Sequence, residues 1–179
     1  MNLGQTMITI GMFVLLVMSV ISANRMLLEN TEASYAAEAL SAAATIAQDL
    51  LHESMSKRFD ANSDDSGTQD TTAFSLPAAL GPSAAERTAV GTLPDSSYTG
   101  SFKSIGAYGD FDDYKGYSRL VAASNIGGYF SVSATVYYVN ESAPDVATGY
   151  RTFYKVIAVT VSHPLYLTKP ITLTGMLSY

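Results

Sequence analysis

MNLGQTMITIGMFVLLVMSVISAN, residues 1–24, carries no charged side chain, and RMLLENTEASYAAEALSAAATIAQDLLHESMSKRFD, residues 25–60, follows it without a proline. Helical periodicity runs through both stretches, so the spacing predicts one uninterrupted helix. At about 1.5 Å per residue that helix would be on the order of 85–90 Å long, more than a globular domain needs. Gly11 is the only intrinsic weak point of its apolar half, so the expectation is a mostly continuous helix.

Met7–Ile21 is almost wholly apolar, softened by Thr9, Gly11 and Ser19. With its uncharged flanks it reaches the roughly 20 residues that cross a bilayer core. A soluble core helix would show a polar face, and this stretch has almost none. A secretory signal would carry a positive leading region and a small-residue cleavage site, and neither is visible. Arg25 is the first basic residue, and the positive-inside rule taken alone would hold everything after it in the cytoplasm. Prior removal of a basic leader, with Met1 as a mature N-terminus, reconciles this with a polar head that reads as extracellular.

The first eight residues, Met1-Asn2-Leu3-Gly4-Gln5-Thr6-Met7-Ile8, resemble the start of a mature type IV pilin or pseudopilin. Leu3, Met7 and Ile8 match that pattern, whereas Gln5 stands where the family has a glutamate that pairs with a neighbour's N-terminal amine. Gln5 retains an acceptor there without the charge. The resemblance implies that Met1, Leu3, Gln5, Met7, Ile8, Phe13, Leu15 and Leu16 are assembly residues. It also implies that the chain's main partner is itself, in a helical homopolymer.

Between Arg25 and Asp60 the pattern turns amphipathic. Leu28, Tyr35, Ala36, Ala39, Ala43, Ile46, Ala47 and Leu50 form one stripe at spacings of three, four and seven. The alanine-rich run YAAEALSAAATIA favours helix and permits close backbone approach. This face is expected to pack on the chain's own sheet, with Leu27, Leu40, Ala44 and Leu51 left for neighbours. Helix signals stop at Ser56–Asp60.

Two acidic segments follow. Asp60, Asn62 and Asp64 space oxygens at alternate positions as calcium loops do, but the glycine is displaced to Gly67 and a closing glutamate is missing. A solvated linker is the better reading. Thr71–Ser97, with three prolines, reads as loop with short edge strands, and Tyr98–Ile105 as one strand. Gly109–Tyr117 (GDFDDYKGY) resembles an acidic segment ahead of the last strands of prepilin-type proteins. Asp110, Asp112 and Asp113 are candidate cation ligands, calcium being the ion in view, or caps for local amides; a structural loop is preferred over a metal site.

Tyr129–Val139 alternates, with Phe130, Val132, Ala134, Val136 and Tyr138 on one face. Asn140–Gly149 reads as a polar loop carrying the glycosylation sequon Asn140-Glu141-Ser142. Arg151–Ser162 is a second strand with Phe153, Ile157, Val159 and Val161 in register, ended by His163-Pro164, where His163 reads as a turn residue. Ile171–Tyr179 is a third, with Ile171, Leu173, Leu177 and Tyr179 on one side. Three sequential strands make an antiparallel meander with one covered face, and the helix stripe is the cover. The ending also resembles the last strands of prepilin-type proteins, so the likeness touches both ends and leaves residues 61–105 unmatched.

The 179 residues carry a net charge of −6, with only 15% charged and the basic residues scattered, which excludes a nucleic-acid binder. The chain has no cysteine and two histidines, so disulfides, thiol catalysis and cysteine zinc sites are excluded. No nucleophile–base pair or metal constellation points to an enzyme. The expected fold is α+β: an apolar helix half (1–24), an amphipathic half packed on the head (25–60) and a β-rich head (61–179). By resemblance, the expected function is structural, a subunit of an extracellular pilus-like filament at the cell surface. It would be stored in the inner membrane and handled by pilus assembly machinery before polymerisation. The alternatives are a minor pilin or secretion pseudopilin, or a membrane-anchored surface binding protein that does not polymerise.

Overall fold

The computed structural model describes residues 2–63, 70–83, 86, 108–123 and 125–179. The fold is α+β: a long N-terminal helix, α1, Leu3–Met55, and a C-terminal antiparallel sheet that its C-terminal part packs on. The strands are β1 Ser118–Ala123, β2 Ile126–Asn140, β3 Ala143–Ala147, β4 Tyr154–Ser162 and β5 Ile171–Ser178. Their order is β1-β2-β4-β5, with β3 paired to β2, and every pairing is antiparallel. The chain divides into two compact units, Met1–Glu38 and Ala39–Tyr179.

In the first unit α1 is regular, and two of its hydroxyls turn inward on their own backbone. Thr9 Oγ1 donates to the Gln5 carbonyl at 2.6 Å, and Thr31 Oγ1 to those of Leu28 and Leu27 at 2.8 and 3.0 Å. Such back-bonding lets a polar residue sit in an apolar segment without an unmet donor.

In the second unit α1 buries Ala39, Ala43, Ala47, Leu50 and Ser54. The first three are fully buried and four residues apart, so a ridge of methyl groups lets the helix backbone lie close to the sheet. The stripe is shorter than the periodicity suggests. Leu28, Tyr35 and Ala36 are exposed, so the buried face starts at Ala39 rather than Leu28. Under it lie Phe130, Val132, Ala134 and Val136 of β2 with Ile157, Val159 and Val161 of β4, the faces read from alternation. β5 alternates half-buried with exposed positions, Ile171, Leu173 and Leu177 facing inward.

Strands β1, β3 and β4 differ from expectation. Asn140–Gly149 is not loop throughout. A two-residue turn, Glu141-Ser142, reverses the chain into β3, whose Pro144 is tolerated because β3 pairs with β2 alone. β1 was not foreseen, and β4 begins at Tyr154 rather than Arg151. The strand read at Tyr98–Ile105, and most of the loop read up to Ser97, lie outside the described residues.

Gly175 on β5 is where the helix presses hardest: a Cβ there would stand 2.7 Å from Leu51 Cδ1. Gly175→Val is expected to cost about 1–3 kcal/mol by overpacking. In a denaturant double-mutant cycle, Leu51→Ala should recover at least about 0.5 kcal/mol of that loss; strictly additive costs would show that the close approach is not limiting.

Candidate functional site

Two features of the structure bear on function. The first is the apolar half of α1. Of the residues read as assembly positions, Leu3, Met7, Ile8, Phe13, Leu15 and Leu16 are between 62% and 81% exposed. Gln5 is exposed as well, and Met1 lies outside the described residues. The helix is long and apolar enough to cross a membrane, and its most apolar window is wholly unburied. So many large apolar side chains on one helix far exceed the scattered singles of an ordinary surface.

The second feature is a cluster of buried charge at the end of α1. Lys155 lies on β4 in register with Ile157, Val159 and Val161, and is fully buried. Its Nζ donates to the Phe59 carbonyl at 2.8 Å, to Asp60 Oδ2 at 2.8 Å and to Asp112 Oδ1 at 2.6 Å. Three donors meet three acceptors, and the Phe59 and Tyr138 rings close over the ammonium at 4.5 and 5.1 Å.

Asp60 is held from several sides. Ser75 donates its amide to Oδ2 (2.9 Å) and its hydroxyl to Oδ1 (3.0 Å), and the Asn62 amide reaches Oδ1 at 3.1 Å. Burial alone would raise its pKa, but the Lys155 hydrogen bond and charge and the Ser75 and Asn62 amides together hold it below the usual carboxylate value.

The acidic segment forms a tight turn around the 3-10 helix Asp112–Tyr114. Asp110 Oδ1 accepts the amides of Asp112 and Asp113, at 3.0 and 3.2 Å, while Asp113 Oδ2 accepts those of Gly109 and Asp110, at 2.8 and 3.1 Å. This is reciprocal capping. Bonds to the helix end fix its place: Phe111 N to Arg58 O (2.8 Å), Lys57 Nζ to Tyr108 O (2.8 Å) and Tyr114 OH to Glu53 Oε1 (2.6 Å). Asp110 is pushed up to about 8 by burial, by the charges of Asp112 and Asp113, and by its side-chain hydrogen bond to Asp112. Asp113 is also raised, first by burial.

The oxygens read as cation ligands are thus engaged by this chain's own donors. Asp60 and Asp112 face an ammonium group, and Asp110 and Asp113 face backbone amides. Among the described residues no group of three His, Asp or Glu side chains is arranged to hold a metal ion, and Asp64 lies outside them. Asn140, at the β2–β3 turn, exchanges hydrogen bonds with the Tyr150 hydroxyl, 2.7 Å from Nδ2 and 3.0 Å from Oδ1. His163 Nδ1 accepts the Leu165 and Tyr166 amides at 3.2 and 3.3 Å, so it organises the turn after β4.

No protein-family model, curated protein or solved structure matches the chain. Function rests on these two features alone.

Lys155 was missed by sequence reasoning, though the signal was there. In Arg151–Ser162 the positions 157, 159 and 161 are apolar and 155, on the same face, is lysine. A lysine on the covered face of a strand demands carboxylate partners, and the two acidic segments supply them.

Lys155→Met leaves Asp60 and Asp112 buried without their counter-ion, and should cost about 3–5 kcal/mol in denaturant unfolding. A second expectation concerns Asp110. The folded chain keeps its proton up to about 8, while the unfolded chain releases it near 3.8. The stabilisation is therefore complete below 3.8 and drains away as the pH rises towards 8. Asp110→Asn keeps the acceptor and has no proton to lose. Its Tm minus that of the unsubstituted protein should climb across this interval, and a flat difference would refute the assignment.

Proposed function

We propose that the chain is a structural subunit of an extracellular, pilus-like filament that polymerises through the apolar half of α1. One observation carries this reading: the second unit has a helix face fitted to its own sheet, whereas Leu3–Ile21 has large side chains exposed all round and no apolar partner among the described residues. Burial is then supplied from outside, first by the membrane and afterwards by the same segment of neighbouring subunits. Exchanging lipid for protein costs little hydrophobic free energy, because both surroundings are apolar. A contact in which this segment meets the same segment of the next subunit in an offset register does not close, and so propagates as a fibre. The resemblance of Met1–Ile8 and of the C-terminal strands to type IV pilins favours the same reading. Gln5 alters how subunits register, replacing a charged contact with a neutral hydrogen bond.

Material sheared from cells should contain the protein as filaments by electron microscopy; recovery solely as a detergent-soluble monomer would overturn the proposal and favour a membrane-anchored surface protein. Phe13→Ala with Leu16→Ala leaves the segment apolar enough for the membrane. Each truncation removes side-chain packing on neighbouring subunits, whereas fluid lipid fills the space left in the membrane. Sheared filament should fall at least about tenfold while the membrane-bound pool is kept.

A further inference from the structure

The Lys155 cluster holds more acid than an ion pair needs. One ammonium sits against Asp60 and Asp112, and a third carboxyl, Asp110, lies beside Asp112 and accepts its backbone amide at 3.0 Å. Lys155 and Asp60 are fully buried, and Asp110 and Asp112 are each 3% exposed. We propose that Lys155 and Asp112 condense spontaneously to an intramolecular amide, Nζ of the lysine bonding to Cγ of the aspartate with release of one water.

The geometry sets up each part of this step. Nζ lies 2.6 Å from Asp112 Oδ1, so Cγ is one bond beyond that oxygen and close to the near-attack range of about 3–3.5 Å. A proton moving along this contact converts ammonium and carboxylate into amine and acid. The two N–H groups that remain stay on the Phe59 carbonyl and Asp60 Oδ2, which leaves the nitrogen lone pair directed at Asp112. Asp60 is a positioning residue; its own charge is held by the amides of Ser75 and Asn62, which makes it the poorer electrophile.

As the N–C bond forms, Asp110 gives its proton to the departing hydroxyl and recovers the surplus proton from nitrogen. Asp110 serves here because its Oδ1 holds the Asp112 amide at 3.0 Å, which sets the carboxyl beside Asp112, and burial with its acidic neighbours favours its protonated form. The sum is ammonium plus carboxylate going to amide plus water, with no redox change and no further reagent. An open pocket of about 380 Å³ bordered by Ser75, Glu86, Asp110, Asp112 and Asp113 gives that water a way out. The drive is electrostatic. Two charges stripped of water and screened by the rings of Phe59 and Tyr138 are replaced by a neutral group. Plain ion pairing accounts for Lys155 with Asp60 but leaves the second carboxylate, and the protonated acid behind it, without a purpose.

This inference does not depend on the filament proposal. The test is peptide mass spectrometry on the full-length protein, denatured and digested with trypsin. Condensation blocks cleavage after Lys155, and the Lys169-Pro170 bond also resists the protease. The expected product therefore joins Ser104–Lys115 to Thr152–Tyr179, lighter than the two linear peptides together by one water. Linear Ser104–Lys115 together with free Thr152–Lys155 from folded protein would overturn the proposal, as would a cross-link to Phe59–Arg87, which carries Asp60. Asp110→Asn preserves the amide acceptor and removes the transferable proton, so the joined peptide should form at least about 100-fold more slowly. Condensation at the unsubstituted rate would overturn the role of Asp110.

Discussion

Burying an ammonium group is unfavourable unless each of its donors is met, and Lys155 meets all three with groups from two other parts of the chain. The Phe59 carbonyl and Asp60 belong to the segment leaving α1, Asp112 to the acidic turn, and the lysine itself to β4. The first two segments lack a regular ladder of their own at that point. The helix has ended at Met55, and the acidic turn is one 3-10 turn held by its own aspartates. The ammonium is the common point to which both are tied. An aromatic cluster seals it, Phe59 packing on Phe74 at 4.9 Å and both on the C-terminal Tyr179, at 5.7 and 5.0 Å. On that side the ammonium is shielded from solvent, and its electrostatic interactions are correspondingly strong.

The two parts of α1 obey different rules. From Ala39 onward the helix is specified by what it touches: a row of alanines, then Leu50, against the faces of β2 and β4. Up to Glu38 its large apolar side chains are exposed among the described residues, and its composition is that of a segment made for apolar surroundings. Alanine before Ala39 is therefore ambiguous in sequence. Ala36 and Ala39 fall on the same stripe, yet only Ala39 meets the sheet, because a stripe continues wherever periodicity allows and burial stops where the sheet stops.

This explains which features were legible. Helix type and extent followed from a missing proline and a sustained period, and the covered faces of β2 and β5 from strict alternation. β1 and β3 were not legible. β1 is six residues with a register shift at Ala122/Ala123, and β3 contains a proline, so neither shows a clean period of two. The buried cluster was partly legible. Asp110 and Asp113 could be read as local caps because their partners are within four residues. The Asp60–Lys155 pair spans 95 residues, and such a partnership is written only as a lysine in an apolar register and unassigned carboxylates elsewhere.

The two units also meet different mechanical demands under the filament reading. A subunit gripped by its neighbours through Leu3–Ile21 would receive load along α1, and beyond the helix end lie Phe59 and Asp60. Both are bonded to Lys155, which stands on β4 between β2 and β5. Load therefore passes into the middle of the sheet rather than peeling an edge strand. Resistance to pulling is set by the unfolding rate and not by equilibrium stability. A noncovalent clamp opens at the rate at which its ions rehydrate, and the chain has no cysteine with which to lock it. Joining Lys155 to Asp112 would enclose β1, β2 and β3 within one covalent loop, so that the segment between the acidic turn and β4 could not be drawn out even when the ladder opens. The amide would then protect the point where the load enters the sheet, and the exposed apolar helix would be free to serve assembly alone.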